Sequence, residues 1–403
     1  MANPEVKAKS VPAYKQRTSC RVCGGHQLDR ILSLGDQYLV NFVREKDTNL
    51  PHAPLDLMQC HCGLLQLHHT VNPDTVFREY WYRSAVNQTM RDALADLVRD
   101  GLKHHSEGTW VDIGANDGYL LSLVPSAFKK IAFEPAGNFA ADIEEHADIA
   151  VSDYFGAHDS LYVKGKGICS VISSAAMFYD LDEPNSFVAD IAKALAPDGI
   201  WINQLNDAPT MIRMNAFDSV CHEHLCYYDV PTLSKLYLKH GLKILNVTFN
   251  DVNGGSIRVV ASKRGDPSEL LGLGSVSPES AHDFAERARK WKQLMGWVMD
   301  SIQISGQSVW GYGASTKGAA LLQYLGRSQL IKAIADRNPL KHGTVMTGTW
   351  IPVTDEATMR RERPDIALVL PWAFQKEFVE REHLMRKVGT TMLFPLPNPT
   401  FVL

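Results

Sequence analysis

The segment "WVDIGANDGYLL" constrains the fold more than any other stretch of the chain. A largely apolar run from Trp110 to Ile113 leads into a turn that contains Gly114 and Gly118, and a helix-like pattern follows. A strand, a glycine turn and a helix in this order begin an open α/β sheet. Helical and strand-like segments alternate from there to about residue 263. The sequence therefore predicts an α/β domain built on a parallel sheet.

Acidic side chains follow successive predicted strands of this domain. The glycine turn carries Asp112 and Asp117. Glu134 ends the second strand in "IAFEP", and Asp153 follows the third strand in "VSDYFG". Ligands of open α/β sheets bind beyond the carboxyl ends of the strands. Carboxylates there can accept hydrogen bonds from ribose hydroxyls and an adenine amine, whereas negative charge at the first turn disfavours a phosphate.

This arrangement resembles that of class I S-adenosylmethionine-dependent methyltransferases, whose cofactor has no phosphate. A nicotinamide-dependent enzyme is the alternative, because glycine-rich turns also bind dinucleotides. We expect S-adenosylmethionine as the cofactor. The predicted cofactor-binding residues are Asp112, Gly114, Asn116, Asp117, Gly118, Glu134, Asp153 and Ser174.

Two cysteine pairs precede the predicted sheet. The chain has seven cysteines, an odd number, and the early clustering of four of them favours metal ligation over a disulfide framework. Four thiolates complete the tetrahedral shell of a structural zinc ion. The second pair has the unusual C-x-C spacing, so His61 or His52 could replace one ligand. The alternative is that the four cysteines are free buried thiols that bind no metal. The predicted zinc ligands are Cys20, Cys23, Cys60 and Cys62.

The stretch "FDSVCHEHLCYYD", Phe217–Asp229, concentrates ligand-type and proton-transfer side chains. It lies just past the fifth predicted strand and hence near the expected cofactor. On a strand, His222 and His224 would point the same way and could chelate zinc, but the sequence offers no evident third ligand. A hydrogen-bonded structural cluster is a second alternative. We favour general-base chemistry by His224, with Glu223 orienting or polarising the imidazole.

A second strand, glycine turn and helix appear in "SVWGYGASTKGAALLQYL", after a long predicted helix in "AHDFAERARKWKQLMGWVMDSI". This turn has too few features of a dinucleotide fingerprint, unless Asp336 in "IADRNP" serves as the ribose carboxylate. We expect instead that Ser315, Thr316 and Lys317, at the start of a helix, hold a diphosphate. The last hundred residues thus form a further small α/β domain.

Bulk properties exclude several classes of protein. The chain has 403 residues, 45% hydrophobic and 21% charged, with a formal net charge of −4. These values carry no electrostatic signature of nucleic-acid or membrane binding. The start, "MANPEVKAKS", lacks the apolar region of a signal peptide, and no apolar run approaches the ~20 residues of a membrane span. We expect a cytoplasmic protein with a small-molecule substrate.

The motifs, taken in order, closely resemble one family. They are the cysteine pairs, "YWYRS", "DIGANDG", "FEP", "FDSVCHEHLCYYDVPTL", "NDVNGGSIRVV", "GYGASTKG", "DRNPLKHG" and "LVLPWAF". The chain resembles the sugar C-methyltransferases, which methylate carbon 3 of nucleotide-linked 4-keto-deoxyhexoses in antibiotic and surface-polysaccharide pathways. The resemblance implies a zinc-binding domain at 1–78, a methyltransferase domain with a linker helix at 79–295, and a Rossmann-like substrate-binding domain at 296–403.

The resemblance also implies roles for individual residues. His224 would remove a proton from carbon 3, helped by Glu223 and Tyr82, and the resulting enolate would attack the sulfonium methyl group. Tyr82 or His222 could donate a hydrogen bond to the enolate. The sugar nucleotide would bind between domains. The predicted substrate-binding residues are Tyr179, Tyr227, Asn253, Ser315, Thr316 and Lys317.

Two segments of the predicted acceptor pocket depart from the family pattern. Ala175 and Tyr179 lie roughly where many members carry an Asn and a His, and "NQLNDAP" replaces a segment that usually carries a Glu and a Tyr. A methyltransferase of the same architecture acting on a non-sugar carbon or an oxygen acceptor therefore stays open, as does an NAD-dependent oxidoreductase. We expect a monomer or a weak homodimer.

Overall fold

The computed structural model describes residues 14–156, 168–265 and 273–403. The "MANPEVKAKS" segment, on which the expectation about a signal peptide depends, lies outside the described residues. Part of the Gly-, Ser- and Pro-rich segment predicted to connect two domains also lies outside them. None of the described helices combines the length and apolar character needed to cross a bilayer.

The amino-terminal part of the chain forms small antiparallel sheets. Strands β2, β4 and β5 pair in that order, and β1 pairs with β6. A short helix, capped by Asn72, ends this region. The elements are β1 (Tyr14–Gln16), β2 (Leu28–Tyr38), β3 (Phe42–Val43), β4 (His52–Cys60), β5 (Leu65–Leu67), β6 (His69–Val71) and α1 (Pro73–Phe77).

The central domain alternates strands and helices, as the sequence predicts. Its elements are α2 (Gln88–Leu102), β7 (Gly108–Ile113), α3 (Tyr119–Leu123), β8 (Phe128–Phe133), α4 (Ala140–Glu144), β9 (Ile149–Val151), β10 (Cys169–Ala175), α5 (Pro184–Ala194), β11 (Leu195–Asn206), α6 (Ala208–Arg213), β12 (Cys226–Tyr227), α7 (Val230–Lys239), β13 (Lys243–Asn250) and β14 (Ser256–Ser262).

Seven strands build the central sheet, in the order β13-β14-β11-β10-β7-β8-β9. Strands β11, β10, β7, β8 and β9 run parallel, and β14 lies antiparallel between β11 and β13. Helix α2 covers this sheet with the apolar face that the sequence shows, because Met90, Leu94, Leu97 and Val98 are all buried. The predicted α/β class is confirmed.

The strand β12 lies away from the sheet of its own domain. It pairs antiparallel with β5, so that Cys226 faces Gln66 and Tyr227 faces Leu65. The amide of Leu67 also donates to the carbonyl of Leu225 at 2.9 Å. The insertion that carries the two histidines therefore adds a fourth strand to the amino-terminal sheet.

A second parallel sheet follows the long helix α8. Its order is β18-β16-β15-β19-β20-β21, and only β21 is antiparallel to its neighbour. The predicted boundary between residues 295 and 296 falls inside α8. The elements are α8 (Pro278–Ile304), β15 (Val309–Tyr312), α9 (Thr316–Leu325), β16 (Ile331–Asp336), β17 (Val345–Met346), β18 (Val353–Asp355), α10 (Glu356–Glu362), β19 (Ile366–Val369), α11 (Gln375–Arg381), α12 (His383–Lys387), β20 (Thr391–Phe394) and β21 (Thr400–Val402).

Candidate functional site

A cavity of about 910 Å³ lies between the carboxyl ends of the two parallel sheets. The turn after β7 and the turn after β15 both line it, as does the "HEH" segment. Clefts of this size between domains are where small ligands and cofactors usually bind. Of the residues predicted for the cofactor, the acceptor and catalysis, those that line the cavity are Tyr82, Asp112, Gly114, Asn116, Glu134, Asp153, Tyr179, His222, Glu223, His224, Asn253, Ser315, Thr316 and Lys317.

The first glycine turn has a left-handed backbone conformation at Gly114 and lines the cavity. Gly114 has φ +72°, and a Cβ atom there would lie 3.1 Å from Cγ of Met177. A side chain at this position would therefore fill the space beside the turn. Glu134 is buried at the end of β8, where its two carboxylate oxygens accept from the amides of Asn116 and Ala136 at 2.8 and 2.9 Å. These bonds hold the carboxylate in place, and its remaining lone pairs can accept from ribose hydroxyls.

Asn116 and Asp117 hold the segment before α2. The Asn116 side chain donates to the carbonyl of Tyr82 and accepts from the amide of Ser84, both at 2.9 Å. The Asp117 carboxylate accepts from the amide of Ala85, also at 2.9 Å. Asp117 and the following Gly118 do not line the cavity. The structure thus gives Asp117 a positioning contact where the sequence suggested a contact with cofactor.

Two other predicted cofactor residues have different surroundings. The Asp112 carboxylate lines the cavity, accepts from the Ser173 hydroxyl at 2.7 Å, and has its pKa raised to about 7 by burial. The Ser174 hydroxyl lies inside the sheet, where it donates to Asn203 and accepts from the Trp201 indole. Because both bonds stay within the core, Ser174 has no contact with the cavity.

Asp153 lies on the cavity beyond β9. Its carboxylate accepts from the guanidinium of Arg78 at 3.3 Å and from the amide of Tyr154 at 2.8 Å. Arg78 in turn bonds Asp74, so the helix α1 is tied to this end of the central sheet. The sequence places Asp153 correctly beyond a strand, but it gives no sign of the arginine.

The two histidines of the "HEH" segment point to different partners. Residues 222–224 form a turn and not a strand. His222 bonds the carbonyl of Ala53 in β4 at 2.8 Å, whereas His224 uses Nδ1 to bond the carbonyl of Ser219 at 2.9 Å. The joint chelation that a strand would allow is therefore absent, because the two imidazoles turn to separate carbonyl groups.

The bond to Ser219 fixes the tautomer of His224. A carbonyl oxygen only accepts, so Nδ1 carries the proton and Nε2 keeps its lone pair. Burial, and then the nearby Lys317 ammonium, lower the pKa of His224 to about 3. Burial likewise lowers the pKa of His222 to about 4. Both imidazoles are neutral at physiological pH, and His224 holds a free basic nitrogen on a residue that lines the cavity.

Glu223 joins three parts of the chain. Its carboxylate accepts from the Thr316 hydroxyl at 3.2 Å and from the Tyr80 hydroxyl at 3.5 Å. Burial raises its pKa to about 7, although both hydroxyls oppose the shift. Ligand-type atoms of Cys221, Glu223 and His224 also lie within 4.8 Å of one another. The third ligand type that the sequence did not reveal is thus the Cys221 thiol.

The second glycine turn contributes residues from the carboxy-terminal domain. Ser315 caps α9 by accepting from the amide of Gly318, and Lys317 donates to the carbonyl of Asn253 at 3.2 Å. Asp336 accepts from the amide of Ala314 at 2.7 Å and therefore braces the turn. The three residues predicted for a diphosphate all line the cavity.

The predicted tyrosines divide into cavity residues and a core residue. Tyr82 is 42% exposed and lines the cavity. The ring of Tyr179 contacts the imidazole of His224 edge-on, with centroids 4.5 Å apart. Tyr227 lies in β12, bonds the carbonyl of Ser219 and does not line the cavity. Tyr179 is thus the tyrosine that packs on the proposed base.

The polar residues of the cavity that sequence reasoning missed include Tyr80, Asp180 and Asp218. Asp218 is buried and accepts from the Trp372 indole at 2.7 Å, which links the insertion to the carboxy-terminal domain. Asp180 has a buried Oδ1 atom without a hydrogen-bond partner among the described residues. The position of Asp218 inside the "FDSV" stretch was an available signal, whereas nothing in "FYDLD" distinguishes Asp180.

The four amino-terminal cysteines form one cluster. Sγ of Cys20 lies 3.6 Å from Sγ of Cys62, and Sγ of Cys23 lies 3.5 Å from Sγ of Cys60. A zinc ion with Zn–S bonds of ~2.3 Å holds its sulfurs ~3.8 Å apart in a tetrahedron. The hydrogen bond from the Cys62 thiol lowers the pKa of Cys20 to about 5, which favours the thiolate. The cluster fits a structural zinc ion, and neither His52 nor His61 belongs to it.

Three family descriptions match the chain in succession. "Putative zinc binding domain" matches residues 20–77, "Methyltransferase domain" matches residues 82–247, and "C-methyltransferase C-terminal domain" matches residues 251–397. The chain is also 27% identical to C-methyltransferase NovU of Streptomyces niveus, over 95% of this chain and 96% of NovU.

Solved structures resemble only part of the chain. A 1,6-didemethyltoxoflavin-N1-methyltransferase of Burkholderia thailandensis has a TM-score of 0.35 and 10% identity, covering 45% of this chain and 81% of its own. An S-adenosylmethionine-dependent methyltransferase of Clostridium acetobutylicum also has a TM-score of 0.35 and 10% identity, covering 43% and 92%.

The central sheet, its carboxylate-lined turn and the matched domains define an S-adenosylmethionine-dependent methyltransferase with a structural zinc module. The description that matches the last 150 or so residues and the relative that matches nearly the whole chain are both of C-methyltransferases. The chain is therefore an S-adenosylmethionine-dependent methyltransferase, and it is similar over nearly its whole length to a C-methyltransferase. The resemblance stated from the motifs is thereby confirmed at the level of the enzyme class and the two cofactors.

Proposed function

We propose that this enzyme transfers a methyl group to carbon 3 of a nucleotide-linked 4-keto-deoxysugar, with His224 as the general base. One observation carries the proposal: the bond from Nδ1 of His224 to the Ser219 carbonyl leaves Nε2 unprotonated in a residue of the large cavity. S-adenosylmethionine, when bound, supplies an electrophilic methyl group on its sulfonium. The nucleophile is a carbon, which becomes reactive only after it loses a proton.

The residues of the cavity divide this work between them. Nε2 of His224 takes the proton from the carbon beside the ketone, and the ring of Tyr179 limits the motion of the imidazole. Glu134 and the turn at Gly114 hold the adenosine end of the cofactor. Tyr82 lies on the cavity and can donate a hydrogen bond to the substrate. A bound acceptor and cofactor would displace water from the cavity, which would protect an enolate from reprotonation.

Lys317 connects binding of the acceptor to the strength of the base. Its positive charge is the second cause, after burial, of the low pKa of His224. A diphosphate paired with Lys317 would offset that charge and raise the pKa of the imidazole. The base would then become stronger when the acceptor is in place. Lys317→Ala should therefore raise the KM for the acceptor more than it lowers kcat, and an unchanged KM would remove Lys317 from the binding site.

The decisive experiment replaces His224 with Asn and measures binding and turnover separately. We expect unchanged calorimetric affinity for S-adenosylhomocysteine and turnover lower by at least ~10²-fold, the usual contribution of a general base. His104→Asn, on the surface after α2, is the matched control. Full turnover by His224→Asn would eliminate this base. Methyl transfer to oxygen, or to a non-sugar ketone only, would contradict the proposed acceptor.

The cytoplasmic location and the monomeric or weakly dimeric state expected from the sequence stay predictions. Size-exclusion chromatography with light scattering measures the second of these directly.

A further inference from the structure

The cavity contains a carboxyl group that the proposed chemistry has not used. Asp180 lies in the turn after β10, next to Tyr179, whose ring contacts the imidazole of His224. Asp180 lines the cavity, and its Oδ1 atom is buried without a hydrogen-bond partner among the described residues. A buried polar atom with no partner is costly, so it is a candidate for contact with a ligand.

A second carboxyl group lies close enough to influence Asp180. Burial raises the pKa of Asp180 well above its usual value, and the Glu223 carboxylate raises it further. Two neighbouring carboxylates in a buried site do not both ionise readily, so such a pair keeps a proton near neutral pH.

Hydrogen bonds decide which of the two carboxyl groups holds that proton. Thr316 donates to Oε1 of Glu223, and Tyr80 donates to Oε2. Two donors stabilise the ionised form of Glu223. Asp180 has no such donor on Oδ1. The proton therefore resides on Asp180.

Four other titratable groups that interact electrostatically with Asp180 are weak acids. They come from the segment before α2, from the turn itself, from the "HEH" segment and from β12, and burial raises the pKa of each. They are Tyr80, Tyr179, Cys221 and Tyr227. None of these groups is a base that would remove the proton from Asp180 near neutral pH.

We propose that Asp180 is a proton-bearing carboxyl group that donates a hydrogen bond to the enolate oxygen formed when His224 removes the substrate proton. This inference rests on the proposed function. The C–H electron pair becomes the C=C bond of the enolate, and the carbonyl oxygen gains the negative charge. The carbon then forms its bond to the methyl group, the C–S bond electrons return to sulfur, and the ketone re-forms. Asp180 keeps its proton throughout, and His224 releases its proton to solvent.

The test separates the hydrogen bond from the size of the side chain. Asp180→Leu should lower methyl transfer to a nucleotide-linked 4-keto-6-deoxyhexose by roughly 10²–10³-fold, the usual cost of one lost oxyanion donor. Asp180→Asn retains an N–H donor and should stay within about tenfold of wild type on the same scale. Asp283→Asn and Asp283→Leu, on the exposed face of α8, are the controls. Equal rates for wild type and Asp180→Leu would overturn the proposal.

The pH profile provides a second readout that a structural role would not produce. The acid form of Asp180 donates, so wild-type kcat should fall as pH rises through the raised pKa of this group, and Asp180→Asn should lack that decline. The same decline in both proteins would contradict the assignment. Deuterium uptake by the ketone can be measured with S-adenosylhomocysteine in place of the methyl donor. This uptake should be slower in His224→Asn and in Asp180→Leu than in wild type.

An infrared measurement distinguishes failure of this inference from failure of the proposed function. Above the pKa values of about 7 of Glu223 and Asp112, a protonated carboxyl band should persist in the free enzyme and disappear in Asp180→Asn. Its absence in wild type overturns the role of Asp180 whatever the substrate is. If the band is present but wild type exchanges no deuterium into the keto-sugar, the proposed acceptor is wrong.

Discussion

At the scale of single residues, burial determines the protonation states of the site. His224 becomes a neutral imidazole with a pKa of about 3, whereas Glu223 becomes a weak acid with a pKa of about 7. Both shifts have desolvation as their first cause, because removing water penalises the charged form of either group. The chemistry of the "HEH" segment therefore depends on the packing around it.

The raised pKa of Glu223 predicts a measurable effect on stability. A carboxyl group that binds its proton more tightly in the folded state favours folding below its unfolded pKa of about 4.5, and this contribution is lost as pH rises through about 7. The loss is on the order of 3 kcal/mol. Relative to wild type, Glu223→Gln should therefore gain stability between about pH 5 and about pH 8. The free energy of unfolding of both proteins would be measured with urea at several pH values. A difference between the two proteins that stays constant across that range would refute this prediction.

At the scale of elements, short loops around the first turn carry Tyr82 to the cavity. The segment before α2 is irregular, and its backbone groups bond the side chains of Asn116 and Asp117. An irregular segment needs such partners, because its buried amides have no ladder or helix to bond. The turn after β7 thus lines the cavity and also positions the segment opposite it.

Replacing Asp117 tests this positioning role. Asp117→Ala removes the acceptor for the Ala85 amide, and a hydrogen bond to a charged group contributes ~1.5–3 kcal/mol. We expect kcat/KM to fall at least about tenfold, with partial recovery in Asp117→Asn. The loss should be smaller in a Tyr82→Phe background, since both changes act through Tyr82. Asp148→Ala, which removes a similar bond to the Lys130 amide on β8, is the control. If the losses in kcat/KM from the two changes were fully additive, the positioning role of Asp117 would be contradicted.

At the scale of the whole molecule, the zinc module and the candidate site share a sheet. Strand β12 pairs with β5, and His222 bonds the carbonyl of Ala53 in β4. Lys235 also donates to the carbonyl of Cys62 within the cysteine cluster. We therefore expect a change in the zinc module to affect the segment that carries His224.

Removal of zinc should inactivate the enzyme and loosen the pairing of β3 with β17, while the central strands of the last sheet stay folded. The metal contributes on the order of 10 kcal/mol to the folding of small zinc modules. After chelation we expect loss of turnover, together with faster amide exchange in β5 and β12, while β15 and β19 keep their protection. Readdition of zinc should restore both properties. Full activity in a metal-free sample would show that the cysteine cluster does not support the site.

The sequence predicts the framework of this site better than its contacts. The periodicity of the apolar residues and the turn residues predicted the first sheet. The predicted strand ends put Glu134 and Asp153 at the carboxyl edge of that sheet, where the structure has them. Contacts between distant segments were beyond such reasoning. Nothing local indicates that His222 turns to β4, that Ser174 faces the core, or that Glu223 raises the pKa of Asp180. These features arise from tertiary packing, which joins residues far apart in the chain.

The pairing of β12 with β5 limits how this enzyme can be recombined. In a chimera joined near residue 78, the segment that carries His224 would pair with a strand from another protein in place of Gln66 and Leu65. Transplanting acceptor preference therefore requires the amino-terminal module and the histidine loop to move as one unit. Substitutions in β5 and in β12 should likewise occur together in related sequences.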